Sequence, residues 1–223
     1  MLDLESIDPN VQLHPDLEAY VEELDMFNTL RHPLVYSVPF FNDPYSITRC
    51  NMQYEVKKKE IEKAKKEKEW ARYIYLHEKP YWISVLMDIN EELDEKLFWS
   101  LFIESWSIVE NIYATRVFWF HLIHSRKKPS LDLVMDESEI EFFNSLPDEF
   151  EIYRGTTADE PHDTDSLSWT TDREKAEWFA DRRESLTIPP VKTKVLSRVV
   201  KKEQVLVYHN GRYEHEIIIY PQK

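Results

Sequence analysis

Glu151-Ile-Tyr-Arg-Gly155, Ser168-Trp-Thr170 and Tyr213-Glu-His-Glu-Ile217 decide how the last third of this chain is read. Each is a short strand-like segment that delivers polar groups: an arginine, a hydroxyl pair and a Glu-x-Glu. In a strand, Glu214 and Glu216 point from one face while His215 points from the other, so alternation predicts two carboxylates side by side. Gly155, one of only two glycines, predicts a turn just after Arg154, where a ligand can approach the backbone. The other is Gly211. Asn210-Gly211, between the apolar runs at 205–208 and 216–220, predicts a tight hairpin.

Working outward, Asp172-Arg-Glu-Lys-Ala-Glu-Trp-Phe-Ala180 predicts a helix capped by Thr171 or Asp172, with Ala176, Phe179 and Ala180 facing inward. Pro189-Pro190 marks a loop before a strand over 191–200. Strand, loop, helix and further strands imply an α+β arrangement for residues 147–223. Upstream, Asp136 caps a short helix carrying Ile140, Phe142 and Phe143, and Pro147 ends it, so a boundary is expected near Leu146.

Residues 1–146 read as mainly helical. Pro15 opens an expected helix over 16–30 with Leu17, Tyr20, Val21 and Leu24 on one side. Pro33, Pro39 and Pro44 make 31–45 irregular or extended. Residues 52–77 are rich in helix formers with opposed charges three or four apart, which predicts a solvated helix. Tyr81, Trp82, Val85, Leu86 and Ile89 predict another. From Asp94, Leu97, Leu101, Ile108 and Ile112 form one stripe and Phe98, Phe102, Trp106, Val109 and Tyr113 its neighbour, so a broad face is buried. Residues 117–124 continue or follow it. Glu104, Glu110, His121 and His124 lack a spacing specific enough to predict a metal site, and none is expected.

Composition narrows the function classes. An apolar content of 42% with 13% aromatics excludes a disordered chain. No apolar run has membrane-spanning length, and the start Met1-Leu-Asp-Leu-Glu5 lacks signal-peptide character, so a cytoplasmic protein without membrane association is expected. Cys50 is the single cysteine and reads as a buried structural thiol. The net charge of −14 is uneven: residues 151–223 hold 12 of the 28 basic and 13 of the 42 acidic residues, so nearly all the excess lies in front. An acidic front disfavours non-specific nucleic-acid binding and suits a basic protein partner.

Tyr153-Arg-Gly155, Ser168-Trp-Thr170 and Glu214-His-Glu216 together resemble, in order, the motifs of the arginine-serine-glutamate class of ADP-ribosyltransferases, which use NAD. Leu167-Ser-Trp-Thr-Thr-Asp172 followed by Ala176-Glu-Trp-Phe-Ala180 is similar to transferase-like proteins encoded by bacteriophages. The resemblance covers about a third of the chain. It implies a split, highly curved β-sheet domain over 147–223 and a helical region over 1–146 that assists target recognition. It also implies roles. Glu216 stabilises the cation formed when the nicotinamide–ribose bond breaks, and Ser168 supports it. Glu214 orients or deprotonates the acceptor, with arginine favoured. Arg154 binds the ribose-phosphate part of NAD, and Tyr153, Gly155, Trp169 and Thr170 line its site. The activity implied is mono-ADP-ribosylation of a host protein by a phage effector acting in the bacterial cytoplasm. NAD glycohydrolysis and a non-catalytic partner-binding module are the alternatives.

Overall fold

The structure, a computed structural model, describes residues 7–108, 115–159 and 166–220. It is a mixed α/β protein with two antiparallel sheets. The chain divides into two compact units, residues 1–97 with 104–110 and residues 98–103 with 111–223. Among the described residues no helix is long and apolar enough to cross a membrane.

In the first unit, the helix expected over 16–30 stops after one turn. Helix α1 (Pro15–Glu18) is followed by strands β1 (Val21–Glu23), β2 (Asn28–His32) and β3 (Val35–Phe40), in the order β1-β2-β3. Pairing across the sheet overrides the local helical spacing, because Leu30 and Val35 gain burial only when the strands line up. Tyr20 and Leu24 stay largely exposed instead of joining one buried stripe. The stretch expected to be irregular or extended supplies an extended strand, β3. Helix α2 (Pro44–Glu67) begins earlier than expected, where Asp43 accepts bonds from the Tyr45 and Ser46 amides and Pro44 occupies the first turn. It covers the sheet with Ile47, Cys50 and Tyr54, which pack with Leu17, Leu30, Leu34, Val35 and Phe40. Lys68 ends it in the left-handed conformation, and α3 (Trp70–Tyr75) and α4 (Trp82–Ile89) follow. Burial pushes the Cys50 thiol up, as expected of an inert structural cysteine.

Helix α5 (Glu95–Ile108) buries Phe98, Trp99, Leu101, Phe102 and Trp106. Val109, Ile112 and Tyr113 of its expected stripes lie outside the described residues. Phe102 meets Trp119 of α6 (Arg116–Ser125) edge on at 5.1 Å within the second unit. Helix α7 (Glu137–Ser145) starts with a capping box formed by Asp136 and Glu139.

The second unit's sheet holds β4 (Glu149–Thr157), β5 (Ser168–Thr170), β6 (Thr193–Lys201), β7 (Val205–His209) and β8 (Glu216–Ile219), with helix α8 (Arg173–Leu186) between β5 and β6. Strand order is β6-β4-β5-β8-β7, every neighbour antiparallel. The three motif strands β4, β5 and β8 are therefore adjacent. Phe142 of α7 stacks on Tyr208 of β7 at 4.6 Å, which groups this helix with the sheet. The grouping runs across position 146.

Gly155 does not turn the chain. Strand β4 continues to Thr157, and the absent side chain admits α8: a Cβ built on Gly155 would lie 2.2 Å from the Ala176 carbonyl oxygen and 2.6 Å from the Ala180 nitrogen. The close approach seen there is that of a helix backbone.

Candidate functional site

A single cross-strand row organises the motif residues. Tyr153 opposes Thr170, Thr170 opposes Glu216, and Glu216 opposes His209. Register partners share one face of a sheet, so Ser168, two positions from Thr170, leaves β5 from the same side as Glu216. The Ser168 hydroxyl donates to Glu216 Oε1. Among the described residues, strands β4 and β5 pair through Tyr153 and Thr170. The Arg154 guanidinium reaches across to β5, Nη1 donating to the Ser168 carbonyl at 2.8 Å. Ser168 thereby links Arg154 to Glu216, with its carbonyl engaged by one and its hydroxyl by the other.

Glu216 is 5% exposed. A carboxylate so deeply placed depends on hydrogen bonds and nearby cations to stay charged. The expected pairing of Glu214 with Glu216 along one strand does not hold. Strand β8 begins at Glu216, and Tyr213 and His215 take left-handed φ values of 56° and 48°. Glu214 lies in the connection, where its carbonyl accepts the Thr170 hydroxyl at 2.7 Å and its carboxylate stands 3.5 Å from Arg212. The left-handed residues interrupt the alternation that a continuous strand would have imposed.

The Asn-Gly hairpin is likewise longer than expected. Residues 210–215 separate the strands, and Gly211 keeps an ordinary negative-φ backbone. The connection is anchored at several points. Asn210 Oδ1 accepts the His215 amide at 3.2 Å, the Thr171 amide donates to the His215 carbonyl at 3.1 Å, and the Tyr208 hydroxyl meets His215 Nδ1 at 2.8 Å. Tyr213 projects from it, 80% exposed.

The remaining motif residues have partners within the chain. Trp169 is 3% exposed, its indole N–H donates to the Ser166 carbonyl at 2.7 Å, and the Arg198 guanidinium sits 5.5 Å from its ring centre. It packs as core. Thr170 bridges the Glu214 connection and the start of α8, accepting the Asp172 amide at 3.0 Å. The Tyr153 hydroxyl donates to Glu151 Oε2 at 2.8 Å, which raises its pKa. Among the described residues no His, Cys, Asp and Glu side chains cluster tightly enough to hold a metal ion.

Glu139 is the residue that sequence reading missed. It is buried, and its Oε1 accepts the Asn210 amide at 2.7 Å and stands 3.1 Å from His209 Nδ1. Its Asp136-x-x-Glu139 spacing signals a capping box, but nothing local reveals partners some seventy positions away. Burial pushes the Glu139 carboxyl up. Bonds from His209, the Asn210 amide and the Asp136 amide outweigh that and hold it below the ordinary glutamate value. The Glu139 bond raises His209 against the opposing effect of burial, with the charges of Glu139 and Glu216 adding to the rise.

These directions fix the pH window of the pair. Raised above 6.5, His209 contributes stability that is complete below that value and lost as pH climbs through its folded pKa. Lowered below 4.5, Glu139 contributes stability present above that value and lost as pH falls through its folded pKa. Glu139→Ala is expected to cost about 3 kcal/mol, the usual scale for breaking a buried pair. Urea midpoints measured across pH should show the gap from the parent widest between 4.5 and 6.5, narrowing on either side.

Comparison with protein-family models, curated proteins and solved structures finds no match for this chain.

Proposed function

We propose that the chain is a mono-ADP-ribosyltransferase that takes ADP-ribose from NAD and passes it to an acceptor protein, with arginine the favoured side chain. The observation that carries this reading is the linkage of Arg154, Ser168 and Glu216 across β4, β5 and β8. Three residues distant in sequence are linked across three adjacent strands of one sheet.

The chemistry follows from these groups. The bond between ribose C1′ and the nicotinamide nitrogen breaks, and its electron pair leaves with nicotinamide. Positive charge develops on the ribose, and the Glu216 carboxylate, held by Ser168, stabilises it as it grows. Arg154 offers a planar cationic fork suited to phosphate oxygens. An acceptor nitrogen then bonds to C1′ and gives up a proton to Glu214, which stands apart from Glu216 on the 210–215 connection. The acidic excess in residues 1–150 suits a basic acceptor protein better than nucleic acid. A phage effector working in the cytoplasm of a bacterial host fits these features.

The test is incubation of the purified chain with labelled NAD and a bacterial lysate, following both labelled macromolecules and free nicotinamide. Labelled protein that disappears in Glu216→Gln is the expected result. Nicotinamide release without labelling would make the chain an NAD glycohydrolase. Neither label nor release, with no NAD binding, would overturn the enzyme reading and leave a partner-binding module.

A further inference from the structure

We propose that His209, held by Glu139 and opposite Glu216 in the pairing of β7 with β8, is a positioning residue for Glu216 whose positive charge helps keep that carboxylate ionised. The inference rests on the reading of Glu216 as the charge-stabilising residue. Three observations carry it. His209 and Glu216 are register partners on β7 and β8, so their Cβ atoms stand about 5 Å apart on one face. Glu216 is almost wholly buried, so its charge depends on the polar and charged groups around it, of which the Ser168 hydroxyl is one. His209 is fixed in place by Glu139, whose second oxygen is tied to the Asp136 amide at the start of α7.

The arrangement also avoids a cost that an imidazolium alone would bring. A lone cation beside Glu216 would repel the positive charge forming on the ribose. Glu139 cancels the charge of His209, so Glu139, His209 and Glu216 together carry a net single negative charge. The other charged groups facing His209 are Asp136 from α7 and Arg212 from the 210–215 connection; Arg212 opposes its protonation and is itself beside Glu214. The rise in the His209 pKa agrees with this balance.

Coupling of this kind is reciprocal: whatever His209 does to the proton affinity of Glu216, Glu216 does to His209. The experiment is an NMR titration of the full chain, reading the His209 imidazole in the parent and in Glu216→Gln. The midpoint is expected to fall by about one pH unit in the variant. An unchanged midpoint overturns the proposal. Should Glu216→Gln not fold, the Glu216 carboxyl titration in the parent and in His209→Gln reads the same coupling from the other side, with the midpoint rising by the same amount.

The functional readout is separate. In His209→Gln the acid limb of NAD cleavage is expected to move to higher pH by the shift seen in the titration. An acid limb that stays in place would reduce His209 to a structural residue and overturn the proposal. If the parent cleaves no NAD, the catalytic reading of Glu216 falls, and the titration alone decides whether the two groups are coupled.

Discussion

Glu216→Gln is expected to reduce both nicotinamide release and protein labelling by about a thousandfold, the upper range for removing one preorganised group that acts on transition-state charge. The substitution keeps the shape of the side chain and leaves an oxygen for the Ser168 hydroxyl, so the fold should persist while the negative charge is lost. Glu214→Gln should behave differently. Its carboxylate stands on the 210–215 connection beside Arg212, 22% exposed, while Glu216 is buried at the head of β8. In the proposed reaction, a group placed there serves the incoming acceptor rather than the departing nicotinamide. Labelling should therefore fall by about a hundredfold in Glu214→Gln, the scale of a lost general base, while nicotinamide release falls far less. Equal losses of release and labelling in the two variants would contradict this division of labour. Steady-state assays of both products on both variants check it.

The left-handed residues at 213 and 215 are what make that division geometrically available, and they were not legible in the sequence. Positive φ is uncommon for any residue but glycine, even for His, which adopts it more often than most, so Glu-x-Glu reads as a plain strand with both carboxylates on one face. What holds them there is distributed: the Asn210 side chain, the Thr171 amide and the Tyr208 hydroxyl, all reaching in from other positions. By contrast, α8 and α7 were legible because their start signals are local. Asp172 caps the Glu174 and Lys175 amides, and Asp136 caps that of Glu139. The strands carrying Arg154, Ser168 and Glu216 were legible for the same reason, since alternation and flanking turn residues sit within a few positions. The three-stranded sheet over 21–40 escaped because its strands are short and their burial depends on partners in register. Of the helically spaced Leu17, Tyr20, Val21 and Leu24, Leu17 and Val21 reach the core while Tyr20 and Leu24 stay exposed, so the four never form one buried stripe. Glu139 escaped because its ties to His209 and Asn210 exist only once α7 is docked on β7.

Gly155→Ala should destabilise the second unit by about 3 kcal/mol, the upper scale for forcing extra volume into a packed interface. The added methyl would meet main-chain atoms, the Ala176 carbonyl oxygen at 2.2 Å and the Ala180 nitrogen at 2.6 Å, neither of which can rotate away. Trimming the neighbouring side chains therefore offers no relief, and Gly155→Ala combined with Ala180→Gly should remain as unstable as the single variant. Helix α8 would have to lift from β4, or β4 would have to shift along its register of Gly155 with Val195. Either movement displaces Arg154, the adjacent residue, from the Ser168 carbonyl and so weakens the link to Glu216. A glycine kept for a ligand gives the opposite result: stability within about 0.5 kcal/mol of the parent, with only NAD binding weakened. Urea denaturation and NAD titration on the same variant separate the two, because a packing role lowers the unfolding midpoint before any ligand is added.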